Sequence, residues 1–84
     1  IKMNLIAHPG AEIGKITKVM SHYMALLQCE EFLQKYPHIE KEEYYDTADA
    51  VKYIKESGHR DWAAIASSYA ARLYGMEILA AGIE

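Results

Sequence analysis

Eighty-four residues, 51% of them apolar and 25% charged, with a formal net charge of −3, make up at most one small globular domain rather than a disordered tail. Nine Lys and Arg residues scattered among twelve acids leave no basic stripe for a phosphate backbone, and no apolar run reaches membrane-spanning length. Neither nucleic acid nor membrane is therefore expected as a partner, whereas the modest core available at this size favours association with another protein surface.

The chain begins at Ile1 rather than Met and shows no signal-peptide pattern, so it is expected to be a fragment or a trimmed piece. Its single cysteine, Cys29, cannot form an internal disulfide and falls on an apolar helical face, as a reduced core thiol in a cytoplasmic setting would.

Residues 1–7 alternate loosely and predict a strand, ended by His8-Pro9-Gly10. Residues 11–15 form a short connection with room for one helical turn, and 16–20, rich in β-branched side chains, a second strand. Between 22 and 36, apolar residues at Ala25, Cys29, Phe32, Leu33 and Tyr36 trace one helical face, which Pro37 ends. The charged segment 39–45 predicts an edge strand, where charge blocks pairing with other chains. Asp46, followed by Asp49, starts a helix that buries Val51 and Ile54 and stops at Ser57-Gly58. Trp62 to residue 66 lacks polar alternation and predicts a central strand covered on both faces. A helix after Ser67 buries Ala70, Leu73 and Tyr74 and ends at Gly75, and 76–80 form a last strand. This alternation gives an α/β fold, a small mixed and largely parallel sheet flanked by helices.

In such sheets, ligands bind at the carboxyl ends of parallel strands, where the helices begin. Ser21 and Ser67 each stand between an apolar strand and a helix, so both are expected at one edge, either as simple N-caps or as part of a shared anion site for a carboxylate. His22 at a helix start tends to stay neutral and can hydrogen-bond a ligand. Asp46 would repel an anion. His8, His38 and His59 lie in turns without metal-ligand spacing, so no metal or cofactor is expected, and Glu40, Glu42 and Glu43 read as solvated charges. Tyr36 and Tyr74 fall on core faces; Tyr23, Tyr44, Tyr45, Tyr53 and Tyr69 remain for a partner surface or the outside.

These stretches resemble prephenate dehydratase. Ser21-His22, Ala25-Leu26 and Gln28-Cys29 match the family segment Ser-His-Pro-Gln-Ala-Leu-Ala-Gln-Cys. Phe32-Leu33, Thr47-Ala48 with Ala50, Glu56-Ser57-Gly58, residues 63–67, Ala70-Ala71 and Leu73-Tyr74-Gly75 match in the family's order. The resemblance implies the second lobe of a two-lobed catalytic domain like that of the type II periplasmic binding proteins, with substrate in the cleft between lobes. It implies that Ser21, His22 and Ser67 bind substrate, prephenate or a related aromatic acid, and that the lobe pairs with a missing first lobe or a second copy. Tyr23 and Met24 replace the family's Pro and Gln, and the Thr-Arg-Phe motif with its essential threonine is not in this sequence. No residue here suits the acid role that dehydration needs. The expected function is half of a substrate cleft, inactive alone; the alternative is a non-catalytic module that binds an aromatic acid or another chain.

Overall fold

Two short apolar runs fill the interior of the sheet. The structure, a computed structural model, describes residues 2–84. In chain order it contains β1 (Asn4–Ala7), a 3-10 turn (Ile13–Lys15), β2 (Lys18–Ser21), α1 (Tyr23–Gln28), α2 (Glu30–Leu33), β3 (Glu40–Glu43), α3 (Thr47–Ser57), β4 (Trp62–Ala66), α4 (Ser68–Leu73) and β5 (Glu77–Ala80). The five strands form one sheet ordered β3-β2-β4-β1-β5. Every residue of β1 and all but Trp62 of β4 are buried, as strands covered on both faces must be. The charged β3 lies at an edge, as its composition predicts.

Chain direction follows from the connections. β2 pairs in parallel with both β3 and β4, and helices supply the crossovers. The connection from β1 to β2 contains no α-helix, and β1 runs against the grain, antiparallel to β4 and to β5. The parallel portion is thus β3, β2 and β4, and the sheet is mixed. Observed strands are shorter than expected at several ends, and Ile1, included in the expected first strand, lies outside the described residues.

Two apolar layers cover the sheet. On one face, Ala25, Cys29 and Leu33 pack on Leu5, Val19, Ala63 and Ile65; on the other, Ala50, Val51, Ile54, Ala70 and Ala71 pack on Ile6, Met20 and Ala64. The helix expected over 22–36 is two helices meeting at Cys29, whose ψ of 11° breaks the run. Positions four apart drift by about 40° around a straight helix. With the break at Cys29, Ala25, Cys29 and Leu33 are all buried in the same layer. Asp46 caps α3 through Asp49 N–H at 3.1 Å, and Gly58, at φ 75°, ends it, both as expected. In α4 the buried pair is Ala70 and Ala71; Leu73, expected in the core, is 55% exposed because this six-residue helix turns only a narrow stripe inward. His8, just after β1, is half-buried and bonds the Ile54 carbonyl at 3.0 Å. No helix among the described residues is long and apolar enough to cross a membrane.

Ile54 is fully buried in the α3 layer. Ile54→Ala should cost about 2–5 kcal/mol, measured by urea unfolding; a loss under about 1 kcal/mol would contradict this packing. Burial, reinforced by the Glu84 charge, pushes the Cys29 thiol up from 9.0 to about 11. The unfolded chain therefore ionises this thiol first as pH rises, and stability contributed by the site is intact below 9.0 and lost towards about 11. Unfolding curves across that window should show the decline, and a Cys29→Ala variant should show less of it.

Candidate functional site

β2 and β4 run side by side in register, Val19 opposite Ala63 and Met20 opposite Ala64, so both leave the sheet at the same edge. The two serines expected there differ. Ser67 caps α4, its hydroxyl oxygen accepting from Ala70 N–H at 3.3 Å, and is exposed. Ser21 does not cap α1. β2 runs one residue further than expected, Ser21 pairs with Glu43, and its fully buried hydroxyl donates to the Ile65 carbonyl at 2.7 Å. A buried hydroxyl must find such a partner or carry a desolvation cost of about 1–3 kcal/mol.

His22 takes the capping position instead, its Nδ1 accepting from Met24 N–H at 3.1 Å. That role requires Nδ1 to be unprotonated and leaves the ring proton on Nε2. The imidazole is exposed. His22 and Ser67 are thus the two expected residues that meet solvent at this edge, with Ser21 fastening β2 to β4 behind them.

Asn4 is a residue the sequence reading missed. It is 3% exposed at the end of β1 that lies beside Ala66, donates from Nδ2 to the Ala66 carbonyl at 3.1 Å, and accepts at Oδ1 from Gly82 N–H at 3.2 Å. An Asn inside an otherwise apolar strand was the available signal, because a buried amide needs partners at both ends. Among the described residues no buried side-chain polar atom lacks a partner, so the edge is fully braced from within.

The helices rising from this edge cover opposite faces of the sheet. Each has six residues, so its contribution to an anion lies in free N–H groups more than in a macrodipole. Neither first turn contains an acid, whereas α3 has Asp49 in its first turn and Asp46 at its cap. Free N–H groups without a neighbouring acid in the same turn are the chemistry that suits a carboxylate, whereas Glu43, opposite Ser21, places an exposed acid at the end of β3. Around it, Tyr23, Met24, Leu27, Tyr69 and Leu73 stay between 45% and 64% exposed. A cavity of about 250 Å³ is lined by Tyr23, Leu26, Leu27, Glu30, Lys41 and Glu43, and does not include Ser21, His22 or Ser67.

Comparison with known proteins agrees with this fold. The family model for prephenate dehydratase matches residues 1–84. Arogenate dehydratase 1 of Petunia hybrida is 46% identical over 81 residues, which cover 95% of this chain and 19% of that protein. The prephenate dehydratase of Arthrobacter aurescens, solved with L-Phe, superposes with a TM-score of 0.90 at 27% identity, over 99% of this chain and 28% of that one. A protein described as GqqA, a novel type of quorum quenching acylase, superposes at a TM-score of 0.95 and 27% identity, over 100% of this chain and 30% of that one. The chain spans about one-fifth of the length of the curated relatives it matches. A match of the family model over residues 1–84 shows that this protein belongs to the prephenate dehydratase family.

Proposed function

We propose that this chain is the second lobe of a prephenate or arogenate dehydratase, forming one wall of a substrate cleft and inactive on its own. The observation that carries this reading is the shared carboxyl edge of parallel β2 and β4, where exposed His22 and Ser67 stand at two acid-free helix starts. In the reaction the family name denotes, prephenate loses carbon dioxide and its ring hydroxyl, which leaves as water. His22 and Ser67 hold a substrate carboxylate and so fix the leaving groups in position. Ser21 acts from behind them, holding β2 against Ile65. The proton that helps expel the hydroxyl comes from elsewhere in the longer protein.

The fold alone does not decide the reaction, since a protein described as an acylase shares it. A specific observation favours a second reading, a non-catalytic module: Tyr23 and Met24, each 53% exposed, stand where the family has Pro and Gln. In either reading the apolar side chains around the edge are covered by a first lobe or a second copy. The buried thiol of Cys29 suits a reducing compartment such as the cytoplasm.

Substitution at Ser67 separates a ligand contact from a cap. Asp caps a helix about as well as Ser, so Ser67→Asp should keep the thermal midpoint near that of the wild type while repelling a carboxylate. Ser67→Ala should weaken prephenate binding about tenfold, the loss expected for one hydrogen bond to a charged group. Calorimetric titration showing Ser67→Asp binding prephenate like the wild type would overturn the assignment. Sedimentation of the isolated chain should give a dimer, because its edge residues are otherwise uncovered; a monomer at high concentration would contradict that part of the reading.

A further inference from the structure

A run of aromatic rings begins beside the carboxyl edge and takes no part in the proposed cleft. From Tyr45 it passes to Tyr44, Tyr53, Trp62 and His59, with successive centroids 4.9, 5.6, 6.2 and 3.7 Å apart. Near the Trp62 end the chain places a cation of its own. The Lys18 ammonium lies 4.4 Å from the Trp62 ring centroid and 3.0 Å from the Glu42 carboxylate. A positive charge is attracted both by the negative face of an aromatic ring and by the acid beside it.

The Tyr45 end has the same ingredients and is open. A cavity of about 180 Å³ is lined by Tyr44, Tyr45, Asp49, Lys52, Tyr53 and Glu56. Tyr45 is 73% exposed and Tyr53 41%, although both are large rings that a small domain would gain by covering. Asp49, Lys52, Tyr53 and Glu56 share the outward face of α3, where residues three and four apart are neighbours. Two carboxylates against one ammonium leave the lining negative. Interaction with the Asp49 carboxylate beside it raises the pKa of the Tyr45 phenol above the ordinary value.

We propose that this open end receives the guanidinium of an arginine side chain on a partner polypeptide. The net negative lining disfavours an anionic ligand such as the cleft's substrate. Arginine fits better than lysine because its planar head stacks on phenol faces while its fork of N–H groups reaches a carboxylate in the same plane. The cavity's lining includes neither His22 nor Ser67, so its occupancy tests independently of the dehydratase assignment.

The test is a titration of the folded chain with the tripeptide Gly-Arg-Gly, followed through the ring protons of Tyr45 and Tyr53 by NMR. Its citrulline counterpart, the same shape without the charge, serves as control. Saturable shifts with the arginine peptide and none with the citrulline peptide are expected. Glu56→Gln and Tyr45→Ala, both at exposed positions, should each weaken binding about threefold. Lys52→Ala, which removes the one cation competing for the cavity, should tighten it, a change that a damaged fold would not produce. Equal shifts from the citrulline peptide, no saturation, or unchanged affinity in Glu56→Gln and Lys52→Ala would overturn the proposal.

Discussion

Parallel pairing of β2 with β4 governs where everything else in this molecule can go. Two parallel neighbours leave the sheet at the same edge, and each must return through a crossover long enough to hold a helix. The helix starts at His22 and Ser67 are therefore brought together by strand direction, not by any attraction between them. The Ser21 hydroxyl secures the pairing at the edge itself, bonding the Ile65 carbonyl at 2.7 Å in a buried setting where an unpaired group would be costly. Asn4 does the same one strand further on, tying β1 to the end of β4 and to Gly82. The candidate edge is thus braced behind by buried hydrogen bonds and open on its front.

Those elements whose pattern had one physical explanation were legible in the sequence. An apolar run without alternation could only be a doubly covered strand, and residues 62–66 are one. Charge on a β-prone segment fitted only an edge, and β3 is there. Asp46 and Gly58 marked the ends of α3 because capping and positive φ each have narrow chemical requirements. The misses fall where periodicity is satisfied by more than one geometry. A single helical stripe over 22–36 describes one straight helix or two that meet at Cys29, and the chain forms the second. Leu73 fits the stripe of α4 equally well, but the small residues Ala70 and Ala71 let the helix approach the sheet and left Leu73 outside.

The candidate site was partly legible for the same reason. Ser67 is both a cap and exposed, as its place after an apolar strand implies. Ser21 looks identical in sequence, yet β2 extends through it and the cap passes to His22. Whether a serine ends a strand or starts a helix depends on the register with the neighbouring strands, which a single sequence does not contain. The aromatic run from Tyr45 to His59 was hidden differently: its members come from three separate stretches of the chain, Tyr44-Tyr45, Tyr53 and residues 59–62, and only the fold of α3 against β3 and β4 stacks them.

The chain spans about one-fifth of the length of its curated relatives, and in the proposed reading it supplies one wall of a cleft. The most direct test of the central claim is a map of where an aromatic acid binds. Backbone amide shifts recorded during a titration with phenylpyruvate should concentrate in residues 22–25 and 67–70, the two helix starts at the shared edge. Saturable shifts centred anywhere else on the sheet, or the absence of saturable shifts, would contradict the account.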